Sequence, residues 1–124
     1  MTKTKPFFYG QDTLTPSLAL GLAYNETTGA LSQKVRNKLL ASFQAVQKIA
    51  RGKDRVYGIN TGFGPLCNTW IDASQTQLLQ LNLIKSHSAG IGRPIASEIA
   101  KLMLILKAHS LCYGSSGVSP KTVE

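Results

Sequence analysis

"RVYGINTGFG", residues 55–64, is the stretch on which the reading of this chain turns. It places Gly58, Gly62 and Gly64 around Tyr57, Asn60 and Thr61. That is too much glycine for a helix interior, where each one costs roughly 1 kcal/mol against alanine. The polar residues are too orderly for a plain linker. The run lies between two segments of helical periodicity and reads as a flexible polar loop bearing an aromatic ring.

Three uses of such a loop can be weighed from the residues. Phosphate binding needs GxxxxGK[ST], or GxGxxG between a strand and a helix. The spacing here is GxxxGxG, with no helix predicted directly after it, so neither pattern fits. A plain turn would use the glycines for positive φ angles, with Tyr57 half-buried and its hydroxyl tied to a neighbour. A catalytic loop would use them to bring backbone close to a ligand, with Asn60 and Thr61 orienting it and Tyr57 accepting a proton. A phenol titrates near 10, so that role needs a positive or electrophilic neighbour to bring Tyr57 down. The residues alone leave the turn and the catalytic loop both open.

On the N-terminal side, Ser32–Arg51 is the clearest helix. Val35, Leu39, Phe43, Val46 and Ile49 fall on one face of a 3.6-residue period. Ser32 is placed to cap its start, and Gly52 to take the left-handed conformation past its end. Residues 1–30 read as an irregular arm broken by Gly10, Pro16, Gly21 and Gly29. Within it Phe7–Tyr9 suits a short edge strand, and Thr15-Pro16 suits the start of a short helix through Ala23.

On the C-terminal side, residues 56–68 form the loop, with short strand pieces expected around Val56-Tyr57. Asp72-Ala73-Ser74-Gln75 has the form of a capping box for a helix to about Ser88. Leu78, Leu79, Leu81, Leu83 and Ile84 wrap more than one of its faces, which predicts burial on two sides. Pro94 suits the first turn of a third helix running to about Tyr113, whose "LMLIL" centre predicts packing inside a larger bundle. Ser119-Pro120 reads as the start of a fourth helix, from which a truncated chain is expected.

Composition narrows the function classes. The chain has 124 residues, 43% of them hydrophobic, as a globular region of one domain or less would. Net charge is +8, but the cations are scattered. Their densest group, Lys48, Arg51, Lys53 and Arg55, falls at a helix end, where cations are favourable. Nucleic-acid binding rests on that charge alone, because the aromatics are not interleaved with the cations. Cys67 and Cys112 show no metal or disulfide spacing, which favours a reduced compartment. No apolar run is long enough to span a bilayer. In "SHSAGIG", residues 86–92, His87 sits in a last helical turn, where an imidazole favours the C-terminus. His109 lies among apolar residues, as a core histidine with one hydrogen bond would.

Taken together, "VYGINTGFG", "LNLIKSHSAGIGRP" and "LKAHSLCYGSSGVSPKTVE" resemble the N-terminal part of the aromatic amino-acid ammonia-lyases, and most closely the histidases among them. The three stretches occur in the family's order and cover most of residues 55–124, whereas residues 1–50 fit loosely. The resemblance implies a mainly α fold, the N-terminal segment of a fumarase/histidase-like helical bundle. It also implies a cytoplasmic homotetramer whose sites combine several subunits. By the same resemblance Tyr57 is a catalytic acid/base on a mobile inner loop, and Asn60, Thr61, Gly62 and Phe63 shape that loop or meet the substrate. Ser86-His87 stands where lyases of phenylalanine or tyrosine carry Phe-Leu or His-Leu, which points to L-histidine.

The family's electrophile is a methylidene-imidazolone made from an internal Ala-Ser-Gly. Ala41-Ser42, Ala73-Ser74 and Ala96-Ser97 all lack the glycine, and Ser115-Ser116-Gly117 matches a different family segment. The triplet is therefore expected beyond Glu124, and the chain alone is expected to be inactive. Two alternatives stand beside histidine deamination. One is a phenylalanine or tyrosine lyase, or an aminomutase. The other is a non-enzymatic basic binding module. Neither a metal nor a membrane is expected among the partners.

Overall fold

The structure is a computed structural model that describes residues 5–124. Among these, two two-residue strands, four α-helices and two 3-10 turns appear, so the fold is mainly α as expected. Contacts gather into two compact units, and the boundary falls inside one helix, between Phe43 and Gln44.

The first unit begins with the segment predicted as an irregular arm, whose first four residues lie outside the described ones. The rest carries more order than its glycines suggest. Strand β1 (Phe7–Phe8) pairs in parallel with β2 (Gly29–Ala30), and helix α1 (Pro16–Ala23) connects them. α1 starts as read: Thr15 Oγ accepts from the Leu18 N–H at 3.3 Å, and Pro16 takes the first turn. Helix α2 (Gln33–Ala50) is capped by Ser32, whose Oγ accepts from the Val35 N–H at 3.3 Å.

Helix α4 (Ser97–Leu111) starts three residues later than Pro94 predicts, because Ala96 is extended with ψ at 142°. Its first turn is favoured instead by Glu98, whose carboxyl is held below the ordinary range by its own backbone N–H and the Ser97 hydroxyl. α4 packs against α1, and Lys101 Nζ donates to the Ala23 carbonyl at 3.3 Å. The helix predicted at Ser119-Pro120 is a single 3-10 turn, Pro120–Thr122.

Val35, Leu39 and Cys112 form the core of this unit, with Tyr9, Leu31, Val118 and Val123 against them. Burial pushes the Cys112 thiol up. Gly10 lets the arm approach α4: φ is +71°, and a Cβ there would stand 2.6 Å from the Cys112 carbonyl oxygen. His109 is a core histidine with two hydrogen bonds, one more than expected. Nδ1 accepts from the Gly10 N–H at 3.3 Å, so Nε2 carries the proton and donates to the Tyr113 hydroxyl at 3.2 Å.

The second unit, Gln44–Arg93, holds the end of α2, the loop and helix α3 (Ala73–His87). Asp72 caps α3, accepting from the Ser74 N–H at 2.9 Å and the Ser74 hydroxyl at 2.6 Å. The capping box is thus half formed, with Ser74 rather than Gln75 answering Asp72. Among the described residues, the predicted two-sided burial of α3 is not seen: Leu78 is 58% and Ile84 62% exposed. On α4 the "LMLIL" centre likewise leaves Met103 and Leu104 exposed. Hydrophobic period marks what should be covered; these residues do not themselves supply the cover. Among the described residues, no helix is long and apolar enough to cross a membrane.

Candidate active site

The loop opens with a tight turn at its motif tyrosine. The Ile59 N–H donates to the Val56 carbonyl at 3.1 Å, and Gly58 has φ at +73°. That combination is a type II turn with glycine at its third position, where a side chain is disfavoured. Tyr57 occupies the second position, at the corner, and is 64% exposed. Its ring stands edge-on to Phe63, with centroids 6.1 Å apart and planes at 74°. Among the described residues its hydroxyl has no hydrogen-bond partner. The half-buried, tied tyrosine of the plain-turn reading is therefore not what is found.

Beneath the turn the loop is held by polar groups that are almost fully buried. Asn60 is 1% and Thr61 2% exposed. Asn60 Oδ1 accepts from the Val56 N–H at 2.8 Å, and Nδ2 donates to the Asp54 carbonyl at 2.8 Å and the Ile49 carbonyl at 3.5 Å. Thr61 Oγ1 accepts from the Gly58 N–H at 3.3 Å and donates to the Gly62 carbonyl at 3.1 Å. The strand pieces expected at Val56-Tyr57 do not form. An antiparallel bridge joins Thr61 to Trp70 instead, through the Gly62 N–H to the Thr69 carbonyl and the Ile71 N–H to the Asn60 carbonyl.

Gly52 also departs from expectation, since it has no positive φ. Its N–H donates to the Ile49 carbonyl at 2.9 Å, a tightened last turn, and Asn60 reaches the same carbonyl. A residue of the motif thus takes part in the role assigned to a glycine. Arg55 ties the two stems of the loop, its guanidinium donating to the Asn68 carbonyl at 3.3 Å. A 3-10 turn, Gly64–Leu66, begins on the last residue of the motif, where no helical turn was predicted.

Ser86 and His87 stand in the last turn of α3, both exposed. His87 Nδ1 lies 2.9 Å from the Leu83 carbonyl, which can only accept, so Nδ1 carries the proton. The ring is fixed to the helix terminus while Nε2 keeps a free lone pair. The Ser86 hydroxyl donates to the same carbonyl at 2.9 Å.

The predicted site residues therefore separate into kinds. Asn60, Thr61 and the buried Gly62 are spent on the loop's own backbone; Tyr57 and Phe63 meet each other; Ser86 and His87 form their own group. No hydrogen bond or ring contact joins the loop to Ser86-His87 among the described residues. A cleft of about 270 Å³ at the loop's root is lined by Lys48, Ile49, Gly52, Asp54 and Val56, and by none of Tyr57, Ser86 and His87. Among the described residues, no cluster of three metal-binding side chains occurs. Sequence reasoning missed Trp70 and the Asp54 carbonyl; the one signal for them was the polar character of Asn60 and Thr61 in a loop otherwise built of glycine.

Residues 14–124 match the family described as aromatic amino acid lyase. The chain belongs to the aromatic amino acid lyase family. Among curated lyases, the histidine ammonia-lyase of Shouchella clausii is 43% identical over 103 residues, covering 83% of this chain and 21% of the relative. The structure of histidine ammonia-lyase from Trypanosoma cruzi superposes with a TM-score of 0.81 at 38% identity, over 96% of this chain and 23% of that one. Tyrosine aminomutase from Streptomyces globisporus gives a TM-score of 0.87 at 28% identity, over 96% of this chain and 23% of its own. This lyase chain thus spans about a fifth of the length of the curated relatives it matches.

Proposed function

We propose that these residues form the substrate-loop part of an ammonia-lyase that converts L-histidine to urocanate and ammonia. The observation that carries the reading is Tyr57: an aromatic hydroxyl with no hydrogen-bond partner among the described residues, presented at the corner of an ordered turn. In the elimination a proton leaves the β-carbon, the Cα–N bond breaks, and a Cα=Cβ double bond forms. Tyr57 is the group on this chain that takes up or returns the β-proton. A phenol titrates near 10, so this role requires a positive or electrophilic group beside Tyr57 in the enzyme.

His87 supports L-histidine as substrate. With Nδ1–H given to Leu83, its Nε2 can accept from a substrate imidazole N–H. A site that loses a hydrogen bond with an apolar ring in place rejects that ring strongly. The tyrosine aminomutase likeness keeps a related substrate or an aminomutase as the second reading, because its TM-score is the higher of the two.

The residues present do not fit the methylidene-imidazolone as its source. Ser42, Ser74 and Ser97 lie within α2, α3 and α4, each followed by a residue other than glycine. The group, which withdraws electrons from the substrate, is proposed to come from sequence outside these 124 residues. With it go a homotetrameric assembly, a cytoplasmic setting and cover for the exposed apolar residues of α3 and α4. A substrate panel followed by ultraviolet absorbance of the protein carrying these residues tests the proposal. Urocanate from L-histidine is expected. Cinnamate or coumarate as the main product would transfer the reading to the related lyases. No product, with salt-dependent nucleic-acid binding, would favour the basic binding module.

A further inference from the structure

The buried amide of Asn60 makes three bonds whose senses are all fixed. The Val56 N–H can only donate and the Asp54 and Ile49 carbonyls can only accept, so the side chain has a single orientation. An asparagine supplies an acceptor and two donors at that reach. Aspartate has the same shape but would turn an oxygen toward two carbonyl oxygens. Alanine would leave the Val56 N–H and the Asp54 carbonyl without this partner. Val56 is also the first residue of the turn that carries Tyr57, and its carbonyl accepts from Ile59 and Asn60. Asn60 therefore holds the residue from which the tyrosine turn springs.

We infer that Asn60 is a positioning residue: it latches the Tyr57 turn to the Asp54 carbonyl just past α2 and to the Ile49 carbonyl in its last turn, and it does not contact substrate. The inference rests on the catalytic reading of Tyr57 for its functional part, while the latch itself can be measured without any activity. It resolves the two roles open to Asn60, loop or substrate, in favour of the loop.

The first measurement uses the unaltered chain. The Asn60 side-chain amide protons are expected to exchange slowly and to show contacts to residues 49 and 54. Exchange at the rate of a free asparagine amide would overturn the latch. In Asn60→Asp, exchange of the Val56 amide is expected to rise about tenfold or more. The Val35 amide, bonded to Ser32 in the other unit, should be unchanged. Acidification through the titration of the introduced carboxyl returns one donor, and should restore part of the Val56 protection relative to the unaltered chain at the same pH. A fluorotyrosine signal assigned to Tyr57 should shift in Asn60→Asp and return with acid. Unchanged Val56 exchange and an unchanged Tyr57 signal would overturn the inference.

In the active lyase, a misplaced tyrosine should lower kcat by about a hundredfold with KM altered less than about threefold. A raised KM at constant kcat would mean that Asn60 meets the substrate, and would overturn the inference. A full-length protein with the latch intact and no lyase activity would instead remove the functional reading alone.

Discussion

Two regions of this chain are built on opposite principles. Around Val35, Leu39 and Cys112 the most buried side chains are apolar. In the loop the most buried side chains are Asn60 and Thr61, and their polar atoms are matched to backbone groups. Apolar packing gives most of its stability without regard to direction and tolerates substitution by similar volumes. A buried hydrogen-bond network has one arrangement, and it is costly when half satisfied. The first suits a scaffold. The second suits a loop that must present Tyr57 in one place while glycine removes most of the side-chain packing that would otherwise hold it.

The largest effect should come from Leu39→Ala, at 1% exposure in the apolar core. A loss of about 2–5 kcal/mol is expected in denaturant unfolding. The two cysteines separate the regions in the same experiment. Cys112 is fully buried with its thiol pushed up, and Cys67 is part-exposed. Labelling of Cys67 should precede that of Cys112 in the unaltered chain, and Leu39→Ala should accelerate Cys112 alone. Equal acceleration of both thiols would show that the regions unfold together and would break the contrast.

Gly58→Ala should act next, and locally. A Cβ at Gly58 would meet only Phe63 Cε1, at 3.6 Å, so the cost is conformational rather than steric. Forcing alanine to φ near +73° costs about 1–2 kcal/mol. The turn should relax and Tyr57 should move, seen as faster exchange of the Ile59 amide with Cys112 labelling unchanged. An alanine that kept Ile59 protected would show that the turn does not need its glycine.

The smallest effect concerns pH. The Ser74 hydroxyl and the Ser74 N–H each donate to the Asp72 carboxyl and hold it below the ordinary aspartate range. A depressed carboxyl stabilises the folded form above its unfolded value and loses that contribution as pH falls through the folded one. Exchange at the Ser74 amide should therefore rise below about pH 4. Asp72→Asn should abolish this pH dependence while keeping the cap.

Much of this was legible in the residues, for reasons that can be named. α1, α2 and the start of α3 follow from Thr15-Pro16, Ser32 and Asp72, because a cap and a period act within one turn of chain. The tyrosine turn is implicit in glycine following Tyr57. What escaped was long-range or outside the chain. The Thr61–Trp70 bridge pairs residues nine positions apart with no alternating pattern to announce it. Gly52 was misread because its N–H closes a tightened last turn on the Ile49 carbonyl, which Asn60, well beyond it, also reaches. Pro94 misled because a residue compatible with a first turn does not compel one. The apolar residues of α3 and α4 were read as packed inside a larger bundle, whereas Leu78, Ile84, Met103 and Leu104 stand exposed here.

The most direct measurement is the rate of urocanate formation from L-histidine by the full-length protein carrying these residues, with tyrosine or phenylalanine at position 57. The account predicts product from the tyrosine form and a fall of about a hundredfold or more in kcat for Tyr57→Phe, as loss of a proton-transfer group would give. Full activity in Tyr57→Phe would contradict it, and the turn at Val56–Ile59 would then be a loop whose tyrosine has no part in the chemistry.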